Sequence, residues 1–274
     1  MVEQPRQTSC ASVVSHFTRS RRAARLLAEW RAKPGKDEVW ASAQAITSRA
    51  IYAITPRDVE DACAETRHAL SWPTDRGGAG LRRSVADAVG PVADWHPKFP
   101  IVHSLYLATE QLGRPPLWDE LIAMWRGNGP LRHMVGLPAR RAVSAAIADG
   151  YSPADAEEAM WWRLGNAYYS LLRELYVLAV LRDAGVPAEY HVLADALFRV
   201  DLWAGETVIS LFVENERYKD ASGAGRKLLP RSILSDHPGF RFVDMPRLTR
   251  REYGTVHLPA PGEIKRFAQT ARLI

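Results

Sequence analysis

The chain has 274 residues, of which 47% are hydrophobic and 24% are charged. This composition is typical of globular proteins and allows one large domain or two ordinary ones. No stretch approaches the roughly 20 uninterrupted apolar residues of a membrane span, and the N-terminal sequence lacks the basic-then-apolar pattern of a signal peptide. The two cysteines are too few for a disulfide framework. We therefore expect a cytoplasmic protein that does not enter a membrane.

The net charge of +5 is concentrated in two basic segments of the chain. The first segment lies between residues 19 and 36, and the second follows the strongest predicted strand, from residue 217 to residue 231. Such segments can neutralise phosphates and give salt-sensitive binding to nucleic acid, which we interpret as DNA. They can equally be solvated faces. The predicted nucleic-acid-binding residues are Arg21, Arg22, Arg25, Arg114, Arg217 and Arg226.

Residues 1–150 are predicted to be helical. Apolar residues at helical spacing predict an amphipathic helix over residues 15–30, and a second helix is expected over residues 38–52. Thr55-Pro-Arg-Asp58 combines a capping residue, a proline and an acid, and it predicts a helix that continues to about residue 70. The glycine-rich segment 72–80 is expected to be a loop.

Residues 101–127 predict two helices joined by the turn Gly113-Arg-Pro-Pro116. This segment resembles small helix-turn-helix elements of nuclease-associated DNA-binding repeats. A tight turn of this kind could present Arg114 and the N-terminus of the second helix to a phosphate. An ordinary helical hairpin has the same pattern, so both interpretations stay open.

Residues 151–274 predict an α/β region. Ser152-Pro-Ala-Asp155 begins a long apolar helix that continues to Asp183. The period then changes from helical to alternating, which predicts a series of strands and a hairpin that turns near Ala204-Gly205. The predicted strands cover residues 188–193, 198–203, 207–214, 240–243 and 255–258, and a last helix begins at about Pro261.

The helix carrying Glu174, the strand Arg199-Val-Asp201, the strand after it and the basic segment that follows resemble the PD-(D/E)XK nuclease superfamily over about residues 157–274. The resemblance implies a restriction-endonuclease-like mixed sheet with flanking helices. In that family a helix glutamate, a strand aspartate and an acid of the next strand hold Mg²⁺. A lysine two residues beyond that acid helps to activate water. Carboxylate oxygens suit Mg²⁺, which polarises a phosphate and acidifies bound water.

The third strand, Ser210-Leu-Phe-Val-Glu214, departs from the family pattern because it has no acid-x-lysine sequence. If the hairpin turns at Gly205-Glu206, Asp201 lies opposite Ser210, and Glu214 lies on the same face. Glu214 could then replace the missing acid from a shifted position, and Lys219 or Lys227 could supply the lysine. The hypothetical catalytic residues are Asp201, Glu214, Lys219 and Lys227, and the hypothetical Mg²⁺ ligands are Asp201, Glu214 and Glu174.

Structural roles compete with each of these assignments. Asp201 could be a polar residue on a half-solvated strand, Glu214 could lie on the surface, and Glu174 could pair with Arg173, Arg182 or Arg199. The first functional hypothesis is a metal-dependent DNA nuclease with a shifted active site. The alternatives are a catalytically inactive nuclease-like module for nucleic-acid binding or assembly, and a protein-interaction scaffold.

Overall fold

The computed structural model describes residues 6–65, 83–95, 98–211, 230–246, 250–253 and 256–273. These residues form a mostly helical α+β structure with a small mixed sheet. The predicted mixed α+β class is therefore confirmed. Within the described ranges, no helix has both the length and the apolar character that a membrane crossing requires.

Four short helices open the chain: α1 (Cys10–Phe17), α2 (Arg21–Arg31), α3 (Lys36–Ala45) and α4 (Arg49–Ala53). The single helix predicted over residues 15–30 is divided, because Ser20 accepts a hydrogen bond from the Ala23 amide and begins α2 as its N-cap. The helix predicted over residues 38–52 is also divided. Ser48 adopts a left-handed conformation, with φ at 53°, between α3 and α4.

The described residues between 56 and 183 are mainly helical, as predicted. Its elements are α5 (Pro56–Glu65), α6 (Arg83–Ala88), α7 (Gly90–Ala93), α8 (Lys98–Leu112), α9 (Trp118–Arg126), a π-helical turn (Arg132–Gly136), α10 (Leu137–Ala148) and α11 (Pro153–Asp183). The two helices expected on either side of the Gly113–Pro116 turn are α8 and α9. The predicted end of α5 near residue 70 and the predicted loop at 72–80 lie outside the described residues.

The remaining elements are α12 (Val192–Phe198), β1 (Leu202–Ala204), β2 (Thr207–Leu211), α13 (Pro230–Leu234), β3 (Arg241–Met245), β4 (Arg250–Tyr253), β5 (Val256–Pro259) and α14 (Pro261–Thr270). β1 and β2 form an antiparallel hairpin, and β3 pairs with β2 in parallel. The sheet is therefore mixed, with the strand order β1-β2-β3. β4 and β5 form a separate two-stranded sheet.

The strand predicted over residues 188–193 is wrong for most of its length. Only Glu189 makes a bridge, with Trp203, and α12 occupies residues 192–198. The strand predicted over residues 198–203 is correspondingly reduced to β1. Every residue of α12 except Asp195 is buried, so its apolar run has no helical period that would distinguish it from a buried strand.

The described elements fall into two compact units. One unit comprises Met1–Pro56, Glu174–Arg251 and Leu258–Ile274, and the other comprises Arg57–Arg173 and Glu252–His257. This grouping differs from the boundary at residue 150 that the sequence predicts, because the first helices belong with the sheet and the boundary between the units falls within α11. The first unit is called the sheet unit below, and the second is called the helical unit.

An aromatic cluster explains why the first helices belong to the sheet unit. Phe17 of α1 has no exposed surface. Its ring centroid lies 5.2 Å from that of Trp203, 5.6 Å from that of Phe198 and 5.8 Å from that of Phe240. Burial of aromatic area in such tilted, edge-on and stacked pairs is a strong stabilising contribution. The N-terminal helices and the sheet thus share one core.

A polar network fastens the same N-terminal segment to the edge of the sheet. Thr8 Oγ1 donates a hydrogen bond to Glu189 Oε2 at 2.7 Å and is also hydrogen-bonded to the Tyr52 hydroxyl. The Tyr52 hydroxyl accepts from the Tyr190 amide at 3.0 Å, and the Arg182 guanidinium lies 4.0 Å from the Tyr52 ring centroid. Burial raises the pKa of the Glu189 carboxyl, while the bond from Thr8 opposes this rise.

His191 makes a further buried connection to the N-terminal helices. Its Nε2 lies 3.1 Å from the Ile46 carbonyl oxygen, and its Nδ1 accepts from the Leu193 amide at 3.1 Å. One ring nitrogen donates and the other accepts, so this geometry requires the neutral imidazole. Burial lowers the pKa of His191 to about 4.

The low pKa of His191 predicts that the protein loses stability in acid. The unfolded state binds a proton near the ordinary pKa of 6.5, whereas the folded state resists it until about pH 4. The free energy of unfolding should therefore be highest above pH 6.5 and should fall by roughly 3 kcal/mol as the pH drops towards 4. Urea denaturation between pH 4.5 and 7.5 measures this change.

The matched variants are H191Q, at the buried position, and H133Q, at an exposed position of the π-helical turn. The stability difference between the wild type and H191Q should shrink as the pH falls, whereas H133Q should track the wild type. A difference that is the same at both ends of the pH range would contradict this assignment.

Candidate functional site

The candidate site lies at the open end of the β1-β2 hairpin in the sheet unit. The hairpin turns at Gly205 and Glu206, as the sequence predicts, with Leu202 paired to Ile209. Extending this register by one residue places Asp201 opposite Ser210. Asp201 and Ser210 are both buried at this end of the sheet.

The parallel strand β3 brings another carboxylate into the same row. Ser210 is the register partner of Asp244. Neighbours in register point to one face of a sheet, so Asp201, Ser210 and Asp244 share a face across three strands. At about 4.8 Å per strand, the α-carbons of the two aspartates are roughly 10 Å apart. We call these three residues the carboxylate row.

Asp244 was missed by the sequence analysis because the predicted strand ended at Val243. Strand alternation did not identify it, because Phe242 and Asp244 are two residues apart and lie on the same face of the strand. The pairing of β3 with β2 could not be inferred, since a parallel pair needs a long connection between its strands.

Asp201 has a structural role that the geometry makes explicit. Its side chain is only 4% exposed, and its Oδ2 accepts a hydrogen bond from the Leu211 amide at 2.8 Å. The bond holds the end of β2 against the residue that precedes β1. A buried carboxylate with a backbone donor is oriented and satisfied at that oxygen.

Asp244 lies at the exposed end of the carboxylate row. Its Oδ2 lies 3.4 Å from Arg231 Nη2, and both side chains are about half exposed. Arg231 belongs to α13, and its guanidinium also lies 5.8 Å from the Phe242 ring centroid. The row is thus flanked by a cation that solvent, or an incoming anion, can reach.

Glu174 lies half-buried in α11. Of its suggested ion-pair partners, Arg182 donates to the Ala188 carbonyl at 2.6 Å and covers the Tyr52 ring. The role of Glu174 as a metal ligand stays a prediction.

The other predicted residues of the C-terminal constellation lie outside the described part of the chain. They are Glu214, Lys219, Lys227, Arg217 and Arg226. Within the described part, no group of three or more His, Cys, Asp or Glu side chains could hold a metal ion.

The basic helix α2 is connected to the carboxylate row through α13. Ser20 Oγ lies 2.8 Å from the Ile233 carbonyl oxygen and 2.6 Å from Asp236 Oδ1, and the Arg22 amide donates to Asp236 Oδ2 at 3.1 Å. α13 therefore holds the start of α2 at its C-terminal end and reaches Asp244 through Arg231. The basic helix α2 and the carboxylate row, which are about 200 residues apart in the sequence, therefore belong to the same unit. The exposed arginines of α2 are Arg21, Arg22, Arg25 and Arg31, and the first three are among the predicted nucleic-acid-binding residues.

Arg114 is engaged within the α8-α9 hairpin. Its guanidinium donates to both carboxylate oxygens of Glu120, at 2.9 and 2.5 Å, and to the Pro115 carbonyl at 3.2 Å. Glu120 also accepts from the Leu117 amide at 2.8 Å, and the bond from Arg114 lowers the pKa of the Glu120 carboxyl. These contacts give the turn sequence a structural role, and phosphate binding by Arg114 stays a prediction.

Comparison with known proteins adds no assignment to this geometry. No protein-family model matches the chain, and no match is found among curated proteins or solved structures. A function for the chain is therefore inferred from its own residues.

The bond between Asp201 and Leu211 predicts different stabilities for two substitutions. D201A leaves the buried Leu211 amide without this acceptor and should lower the free energy of unfolding by about 1 to 3 kcal/mol. D201N keeps a carbonyl oxygen in place and should cost less. Urea denaturation measures both changes, and hydrogen exchange at the Leu211 amide reports the bond directly. Equal stability of D201A and the wild type would contradict this role.

Proposed function

We propose that the protein acts on DNA as a metal-dependent nuclease whose active site is the end of the sheet around Asp201. The observation that carries this proposal is the connection through α13 between the carboxylate row and the exposed arginines of α2. Carboxylates that can bind a divalent cation, flanked by cations that can bind phosphates, are the two parts that phosphodiester cleavage requires.

The order of elements supports a nuclease-like fold for the sheet unit. The long helix α11 is followed by the bridge at Glu189, the β1-β2 hairpin, α13, and β3 in parallel with β2. We propose that this is a reduced form of the restriction-endonuclease-like mixed sheet that the PD-(D/E)XK resemblance implies. Asp201 then has the place of the family's strand aspartate, immediately before the hairpin strand.

The donor chemistry of the carboxylate row fits Mg²⁺. This ion usually takes one or two protein carboxylates and fills its other positions with water and substrate phosphates. Asp201 and Asp244 supply two carboxylates on one face, and Ser210 supplies a hydroxyl between them. Glu214, which the sequence predicts on that face, and Glu174 are the further proposed ligands. When bound, the ion would polarise the phosphate and make a bound water more acidic.

The protein's own side chains have separate proposed roles. Asp201 is held in orientation by the Leu211 amide, so its charge stays fixed at the end of the sheet. Arg231 is half exposed beside Asp244 and could exchange this carboxylate for a phosphate oxygen. Lys219 or Lys227 is proposed to lie near the scissile phosphate. Phosphates farther along the duplex would meet Arg21, Arg22 and Arg25, with Arg217 and Arg226 in the same proposed role.

A second candidate function is favoured by Ser210. This residue places a hydroxyl at the centre of the row, where a carboxylate would give a stronger metal site. Asp201 also has a sufficient structural reason to be present, because it satisfies the Leu211 amide. The second candidate is therefore a catalytically inactive nuclease-like module that binds nucleic acid without needing metal.

A cleavage assay separates the two candidates. Purified wild type, D201N and D149N are incubated with labelled single- and double-stranded DNA in Mg²⁺, Mn²⁺ or EDTA. D201N removes the charge but keeps an acceptor for Leu211, while D149N makes the same change at an exposed residue beyond α10. We expect metal-dependent cleavage by the wild type and D149N, and a loss of about 100-fold or more in D201N.

Each other outcome points to one alternative. Binding without cleavage in either metal would favour the inactive module. Cleavage by D201N at the wild-type rate would show that Asp201 is not a residue of the active site. If the protein shows no binding and no cleavage, the result would point to a protein-interaction scaffold.

A further inference from the structure

A cleft in the helical unit lies between α9, the π-helical turn, α10 and α11. Its volume is about 370 Å³, which is within the roughly 300 to 1,000 Å³ of pockets that bind small molecules. Apolar side chains dominate its lining, among them Trp125, Met160 and Leu164. The cleft therefore has the size and the character of a site for an apolar group.

One whole face of α10 is turned to this cleft. The residues of α10 in the lining recur at spacings of three and four, which is one side of a helix. They are Ala139, Arg140, Val143, Ser144 and Ile147. Ile147 is 40% exposed and stands out as an exposed large hydrophobic residue among those described. This face of α10 thus leaves apolar surface open to solvent.

The π-helical turn shapes the wall before α10. Gly136 ends this turn and lines the cleft, and a β-carbon there would lie 1.9 Å from the Trp125 carbonyl oxygen. The backbone of the turn therefore packs directly against α9, which only glycine permits. π-Helical turns are rare and are frequent at functional sites.

Two arginines border the cleft without a carboxylate partner in the described part of the chain. Arg126 and Arg140 are both exposed, and the Arg126 guanidinium lies 5.2 Å from the Trp161 ring centroid. Glu157 is the acid among the lining residues, so the lining carries a net single positive charge. An apolar cleft with an excess cation is complementary to an apolar molecule that carries one negative charge.

We propose that this cleft binds a small amphipathic anion, with an aromatic or branched apolar body inside and a carboxylate, sulfonate or phosphate beside Arg126 and Arg140. A nucleobase fits less well, because its several donors and acceptors would meet mostly apolar side chains and lose their hydrogen bonds. The site belongs to the helical unit, so it does not depend on the proposed nuclease function of the sheet unit.

The test uses two fluorescent probes of similar shape, the anion anilinonaphthalene sulfonate and its uncharged analogue phenylnaphthylamine. Titration of the full chain should give saturable binding of the anion at one site. The double variant R126Q/R140Q should weaken binding of the anion about tenfold and leave the uncharged analogue unaffected. R141Q is the matched control, since Arg141 is an exposed arginine of α10 that does not line the cleft.

Filling the cleft provides an independent test. V143W should abolish binding of both probes, because an indole would occupy the apolar space. Val143 is half-buried, so S144W makes the same test from an exposed position if V143W does not fold.

Three results of these titrations would overturn the proposal, and a fourth comes from competition with DNA. The three are the absence of saturable binding, an equal effect of R141Q and R126Q/R140Q, and unchanged binding in a folded V143W or S144W. Displacement of the anionic probe by a DNA duplex would reassign the cleft to nucleic acid and would also overturn it.

Discussion

The docking of the first helices onto the small sheet is the interaction on which the sheet unit depends. A sheet of three strands, with three to five residues in each, has little stability without a covering layer. Phe17 supplies that layer by inserting between Trp203, Phe198 and Phe240. The buried bonds of Thr8 to Glu189 and of His191 to Ile46 fasten both ends of the segment. Without this docking, neither the hairpin nor the carboxylate row would have a fixed position.

The same docking joins charges of opposite sign that the sequence keeps apart. Once α1 covers the sheet, Ser20 begins α2 directly against α13, and the arginines of α2 extend from that contact. α13 in turn reaches Asp244 through Arg231. The proposed function therefore rests on tertiary packing, because no local motif contains both the acidic and the basic parts.

The sequence predicted the features that local periodicity and turn chemistry determine. These are α11, the α8-α9 hairpin, and the β1-β2 register that sets Asp201 opposite Ser210. It did not predict α12, whose buried residues hide any helical period, or the break at Ser48. Asp244 and the grouping of the first helices with the sheet were also missed, since parallel pairing and docking depend on contacts between distant segments. The candidate site is thus predictable in part: Asp201 and Ser210 follow from the hairpin, whereas Asp244 follows from the parallel pairing of β3 with β2.

The most direct test of a nucleic-acid function is the salt dependence of binding to a short DNA duplex. The wild type is compared with R21Q/R22Q/R25Q and with R57Q/R141Q/R266Q, which removes three exposed arginines from α5, α10 and α14 instead. We predict that affinity falls steeply with salt and that the α2 variant lowers the slope by about one for each phosphate that a removed arginine neutralises, while the control keeps the wild-type slope. Absence of binding at low salt, or the same slope in all three proteins, would contradict the account.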